Sequence, residues 1–131
     1  MPLPSKHQPA VLVVSSDDWT WKQMQRLLAE TRCPLRWAKN YQEAAEACIA
    51  PSTAVIVSDA DLGGHTWRDI LALTYAMPRP AYLVVISGLA DEKLWLQVLD
   101  KGGVNLFAKS ALGDDLRRSV EESLADWIHL R

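Results

Sequence analysis

The chain has 131 residues, enough for one domain with a single hydrophobic core but not for two. Its 14 basic and 16 acidic residues are interspersed and give a net charge of −2, which argues against binding to nucleic acid or to an anionic membrane surface. No apolar run approaches the ~20 residues of a membrane span, and the start lacks a signal-peptide core, so we expect a cytoplasmic protein.

Apolar runs alternate with amphipathic segments along the chain. We expect a flexible, proline-spaced tail over residues 1–9 and one domain over residues 10–131. The predicted strands cover about 10–14, 35–38, 53–59, 82–87 and 104–109, and the predicted helices cover about 18–31, 41–50, 67–76, 91–100 and 110–131. Strict alternation of strand and helix predicts an α/β fold, with a parallel five-stranded sheet, five helices on its two faces and right-handed crossovers.

The stretch from Thr53 to Gly64 is the most informative part of the sequence. A short apolar run, suited to a strand buried on both faces, ends at Asp59 and is soon followed by two glycines. Ligands of open α/β sheets bind at the carboxyl ends of the strands, which is where Asp59 would lie. A structural alternative is that Asp59 or Asp61 simply caps the next helix.

Polar residues also follow other predicted strands. Residues 15–18, Ser87 and Lys109 would share one edge of a parallel sheet with Asp59. A carboxylate, a hydroxyl and an ammonium group held together suit phosphoryl chemistry, because the carboxylate can attack phosphorus while the donors absorb charge on the transferred oxygens. Taken singly, Ser87 is better explained as a strand-ending hydroxyl and Lys109 as a solvated lysine, so only the combination indicates a site.

In combination and spacing these residues resemble the receiver domain of two-component response regulators, from residue 11 to about residue 127. The matching positions are Asp59, Leu62 three residues later, Ser87-Gly88, Gly102-Gly103 and Lys109. The resemblance implies a flavodoxin-like (CheY-like) fold, doubly wound with strand order 2-1-3-4-5. It also implies that Asp59 accepts phosphate from a histidine kinase or phosphotransfer protein, that Ser87 and Lys109 bind the phosphoryl group, and that Mg²⁺ is the cofactor.

The acidic pair that holds Mg²⁺ in that family is replaced in this chain. An ungapped alignment puts Ser15 and Ser16 at those positions, and hydroxyls are poor substitutes for carboxylates as ligands of a hard cation. We therefore expect Mg²⁺ binding to be weak or absent. Two carboxylates could compensate. Asp17 could turn into the site, and Asp61, which by the resemblance supplies a backbone carbonyl ligand beside Asp59, could offer its side chain.

Further positions depart from the family pattern. Ser110 stands where a proline normally follows the lysine through a cis bond, so we expect a trans bond and a somewhat displaced Lys109. Leu106 replaces the aromatic switch residue of the fifth strand, and its neighbour Phe107 should face the other side of the sheet because strand side chains alternate. We expect His65, in the loop after the third strand, to face solvent rather than to act as a ligand.

Two functional hypotheses follow. The first is a stand-alone receiver, not an enzyme, that is phosphorylated on Asp59 and signals through a protein partner. The alternative is a pseudo-receiver, a phosphorylation-independent interaction module that uses its fourth helix, fifth strand and fifth helix, with tryptophans as anchors. The same face could support a homodimer. A phosphatase-like interpretation of Asp59-Ala60-Asp61 ranks well behind, because such enzymes resemble larger chains, and a flavin site is disfavoured by the carboxylates at 17 and 18.

Overall fold

The computed structural model of the protein describes residues 8–50 and 52–129. Within these ranges five strands and five helices alternate along the chain. The strands are β1 (Ala10–Val14), β2 (Leu35–Ala38), β3 (Thr53–Asp59), β4 (Tyr82–Ser87) and β5 (Asn105–Ala108). The helices are α1 (Asp18–Leu27), α2 (Tyr41–Ala47), α3 (Trp67–Ala76), α4 (Glu92–Lys101) and α5 (Asp114–His129). Most of the tail predicted over residues 1–9 lies outside the described residues.

The strands form one parallel sheet in the order β2-β1-β3-β4-β5, which confirms the predicted topology. β3 lies at the centre, and all seven of its residues are buried. Its last residue, Asp59, is in register with Ile86 of β4, and Ser87 of β4 is in register with Ala108 of β5. The carboxyl ends of the strands therefore meet at one edge of the sheet.

Side chains of the central strands alternate between two hydrophobic clusters, one on each face of the sheet. Leu12 and Ile56 belong to the cluster that α2, α3 and α4 cover through residues such as Ile70. Val13 and Val57 belong to the opposite cluster, and α1 and α5 cover it through residues including Met24, Leu116 and Val120. Each fully buried aliphatic side chain contributes about 1.5–3 kcal/mol of transfer free energy, so both layers stabilise the sheet.

Several predicted boundaries are wrong by a few residues. The first helix ends at Leu27, and residues 29–31 form a separate 3-10 turn. The second ends at Ala47 rather than residue 50, in keeping with the proline at position 51, which disfavours helical backbone in the residue before it. The fifth helix begins at Asp114 rather than residue 110, because residues 109–111 form another 3-10 turn and the first helical carbonyl acceptor is Gly113.

The helix starts are defined by side-chain caps. Asp17 caps α1 and Asp91 caps α4. Thr66 and Asp69 form a reciprocal capping box at the start of α3. Because Thr66 is the N-cap of α3, neither Asp59 nor Asp61 has that role, and the structural alternative for these two residues is wrong. In the described ranges, no helix is long and apolar enough to cross a membrane.

Candidate functional site

The candidate site lies at the edge of the sheet where Asp59 ends β3. Its side chain is 8% exposed, so the carboxylate is largely withdrawn from water. Ser15 follows β1, the strand next to β3, and Lys109 follows β5. The structure brings both of these side chains onto Asp59.

Each oxygen of the Asp59 carboxylate has a different partner. Ser15 Oγ donates a hydrogen bond to Asp59 Oδ2 over 2.7 Å. Lys109 Nζ lies 2.8 Å from Asp59 Oδ1. This second contact is an ion pair rather than a directed hydrogen bond, since Oδ1 has no hydrogen-bond partner among the described residues. The bond between Lys109 and Ser110 is trans, as expected, but Lys109 is not displaced out of reach of Asp59.

The sequence identified Ser15 only as a lost metal ligand and missed its contact with Asp59. Ser15 has no exposed surface, and hydrogen bonds of its hydroxyl and of its backbone fix its position. Its Oγ accepts a hydrogen bond from the backbone N–H of Asp17 over 3.1 Å while donating to Asp59. Its carbonyl accepts from Trp37 Nε1 over 2.8 Å. The signal for this role was its position directly after the buried strand that neighbours β3.

Asp17 lies at the start of α1 and faces the helix backbone. Its Oδ1 accepts from the N–H of Trp19 over 3.1 Å, and its Oδ2 accepts from Thr20 Oγ1 over 2.9 Å. Lys109 Nζ is a longer 3.9 Å from the same Oδ2. The hydrogen bond from Thr20 is the main reason that the pKa of Asp17 is lowered; desolvation opposes it, and smaller contributions from Trp19 and Lys109 add to the lowering.

Asp61 and Ser87 make their hydrogen bonds within their own turns. Asp61 Oδ1 accepts from the N–H of Gly63 over 3.1 Å. Ser87 Oγ accepts from the N–H of Leu89 over 3.0 Å. Ser87 shares the sheet edge with Asp59, as predicted, but its described hydrogen bond closes the turn after β4.

His65 is about half exposed and has two neighbours. Its ring stacks on Tyr41 with 4.0 Å between ring centroids, and its Nδ1 lies 3.4 Å from Asp69 Oδ2. These contacts join the loop after β3 to α2 and to the first turn of α3. The sequence did not predict the stacking, because it depends on how α2 is placed against that loop.

The side chains of β5 divide between the two faces as predicted. Leu106 is buried in the cluster covered by α2, α3 and α4. Phe107 packs against the opposite cluster, which α1 and α5 cover. Leu106, which stands where the resemblance implies an aromatic residue, is therefore a buried aliphatic side chain.

The residues around Asp59 do not fit a Mg²⁺ site well. Mg²⁺ is usually held through one or two carboxylates together with phosphate and water. Among the described residues, Asp59 is the carboxylate that contacts both Ser15 and Lys109, while Asp17 and Asp61 accept hydrogen bonds from their own helix start and turn. Over residues 8–50 and 52–129, no three carboxylate, imidazole or thiol side chains are grouped so that they could hold one metal ion.

Comparisons with known proteins identify the fold. No family model and no curated protein matches the sequence. Among solved structures, a response regulator from Thermotoga maritima superimposes with a TM-score of 0.79 at 23% identity, covering 90% of this chain and 98% of that one. A response regulator receiver domain protein from Clostridium thermocellum gives 0.81 at 16% identity, covering 94% and 99%.

A third similar structure is a response regulator from Burkholderia pseudomallei that contains a phosphorylated aspartic acid, a calcium ion and citrate. It gives a TM-score of 0.73 at 23% identity and covers 90% of this chain and 69% of that one. Together with the observed strand order, these likenesses confirm the predicted flavodoxin-like (CheY-like) fold, the fold of response regulator receiver domains. Identities this low carry the fold and no residue roles.

Proposed function

We propose that the chain is a receiver-type signalling module that works through contacts with a protein partner, without phosphorylation of Asp59 and without enzymatic turnover. The observation that supports this most strongly is the state of the Asp59 carboxylate. Ser15 occupies one of its oxygens and Lys109 the other, and among the described residues no three potential ligands are grouped so that they could bind a cation.

The charge balance at Asp59 argues against an added phosphoryl group. Phosphoryl transfer to a carboxylate gathers several negatively charged oxygens, and metal ions or fixed donors must offset that charge. Lys109 is the one basic side chain in ion-pair contact with Asp59 among the described residues, and it is shared with Asp17. Little positive charge therefore remains for a phosphoryl group.

An exposed apolar surface on α4 supports a role in protein contacts. Trp95, Leu96 and Leu99 are 40%, 53% and 37% exposed on this helix. Trp95 Nε1 donates to Asn105 Oδ1 of β5 over 3.0 Å, so the ring is held against the neighbouring strand. Fixed aromatic side chains commonly anchor interfaces, and the partner proposed for this face is another signalling protein or a second copy of the chain.

A second candidate function is a receiver that accepts phosphate on Asp59 from a histidine kinase or phosphotransfer protein. It is favoured by the 2.8 Å contact between Lys109 and Asp59 and by Ser87 at the same edge of the sheet. In this candidate Lys109 would neutralise the new charge, and the signal would pass to a downstream protein.

Incubation with acetyl phosphate and Mg²⁺, followed by intact-protein mass spectrometry, separates the two candidates. We expect no change in mass for the wild-type chain. A mass gain of one phosphoryl group in the wild type that is absent from Asp59→Asn would contradict the first proposal and establish the second.

A further inference from the structure

Four residues at the edge of the sheet form a closed ring of polar contacts. Ser15 Oγ donates to Asp59 Oδ2 over 2.7 Å, and Asp59 Oδ1 pairs with Lys109 Nζ over 2.8 Å. Lys109 Nζ in turn lies 3.9 Å from Asp17 Oδ2. The backbone N–H of Asp17 donates a hydrogen bond to Ser15 Oγ over 3.1 Å, which closes the ring.

The ring joins the ends of four elements at this edge of the sheet. Ser15 follows β1, Asp17 caps α1, Asp59 ends β3 and Lys109 follows β5. A divalent cation in a protein performs the same two tasks, because it cross-links ligands from several segments and offsets the charge of their carboxylates. In this chain the hydroxyl of Ser15 links Asp59 to β1, and the ammonium group of Lys109 supplies the positive charge.

We propose that this ring takes the place of a divalent cation at Asp59, so that the edge of the sheet is cross-linked without a metal ion. A cation approaching Asp59 would have to displace the Lys109 ammonium from Oδ1 or break the fully buried hydrogen bond from Ser15 to Oδ2. The carboxylate of Asp17, the other acidic member of the ring, already accepts hydrogen bonds from Thr20 and Trp19.

The inference deepens the proposed function and rests on Asp59 being the centre of the site. It concerns the resting protein, so it can be tested without any phosphate donor. Failure of the metal test below would overturn the ring as a cation substitute, whereas phosphorylation of Asp59 would overturn the proposed function. The two failures are therefore distinguishable.

The test is a Mg²⁺ titration followed by thermal unfolding and tryptophan fluorescence. Trp37 is a built-in reporter because its indole N–H donates to the carbonyl of Ser15. We expect ~10 mM Mg²⁺ to move the midpoint of wild-type unfolding by less than about 1 °C beyond an ionic-strength control. We expect Ser15→Asp, which supplies a second carboxylate, to gain a saturable, EDTA-reversible rise of about 3 °C or more.

Ser15→Ala is the matched control, since it opens the ring without adding a ligand. It should unfold at a lower temperature than the wild type and remain insensitive to Mg²⁺. If circular dichroism shows that Ser15→Asp does not fold, the variant at the exposed neighbouring position, Ser16→Asp, replaces it.

A saturable Mg²⁺ response in the wild type would overturn the proposal. The proposal would also be overturned if Mg²⁺ did not raise the unfolding midpoint of any folded Ser→Asp variant, including the double variant at 15 and 16. The two serines would then not be the reason that a cation fails to bind.

Discussion

Ser15 shows how one residue can change the chemistry of a familiar site. From the sequence, Ser15 is a hydroxyl at a position where the resemblance implies a carboxylate ligand of Mg²⁺. In the fold it has no exposed surface and donates to a largely buried carboxylate while accepting the N–H of Asp17. Hydrogen bonds to charged groups are worth about 1.5–3 kcal/mol, roughly twice a neutral one.

Replacing this hydroxyl should therefore destabilise the protein. We expect Ser15→Ala to lower the free energy of unfolding by about 1.5–3 kcal/mol, because Asp59 Oδ2 loses its donor while remaining buried. Ser16→Ala removes the same group from an exposed position and should stay within about 0.5 kcal/mol of the wild type. Urea unfolding of the three proteins measures the difference, and equal effects of the two substitutions would refute the assigned role of Ser15.

Helix α1 begins at this edge with the Asp17 cap. A carboxylate at this position accepts free N–H groups of the first turn and favours the positive end of the helix dipole. Its pKa is lowered, first by the hydrogen bond from Thr20. As pH falls, the unfolded chain therefore binds this proton before the folded protein does.

The cap gives α1 a defined pH dependence. The stabilisation by ionised Asp17 is fully present above its ordinary pKa of 3.8 and is lost as pH falls through the lower value of the folded state. Asp17→Asn keeps a good capping side chain but cannot titrate. We expect unfolding in urea between about pH 2.5 and 5 to depend less on pH in Asp17→Asn than in the wild type. Identical pH dependence would contradict a titrating cap.

At the scale of the whole molecule, stability comes from two hydrophobic layers packed on one sheet. Cys48 is 7% exposed and belongs to the layer covered by α2, α3 and α4. Burial raises the pKa of its thiol, and burial also raises that of the partly buried Cys33. Since the thiolate is the reactive form, both effects should slow modification of the folded protein.

Thiol labelling consequently reports on opening of the core. At pH 8 we expect Cys48 to be alkylated at least about a thousandfold more slowly in the folded protein than in denaturant, because its thiol becomes accessible only when the hydrophobic layer opens. The alkylation rate of Cys33 should be intermediate. Peptide mapping after timed alkylation distinguishes the two sites, with Cys33→Ser as the control for assignment. Rapid labelling of Cys48 in the folded chain would show that this layer is more loosely packed than the structure indicates.

The fold could be predicted because its signals are local. Alternating runs of apolar strand and amphipathic helix specify a doubly wound sheet, and the residues that end each strand must then meet at one edge. Asp59 and Lys109 were placed together on that reasoning, and their contact is observed. The ring could not be predicted, because the direction of the Ser15 hydroxyl depends on the register of β1 against β3 and on which group accepts its proton.

Helix ends were the other part that the sequence predicted poorly. The 3-10 turns at 29–31 and 109–111 shorten α1 and α5 relative to their apolar periodicity. Turns of this kind are frequent at helix termini, which is why a periodic apolar pattern overruns them.

A crystal structure of the wild-type protein grown in millimolar Mg²⁺ tests the proposed state of Asp59 most directly. We predict that Ser15 Oγ remains close to 2.7 Å from Asp59 Oδ2 and Lys109 Nζ close to 2.8 Å from Oδ1, with no cation between them. A Mg²⁺ ion coordinated by Asp59, with the serine hydroxyl or the ammonium displaced, would contradict the ring and the function built on it.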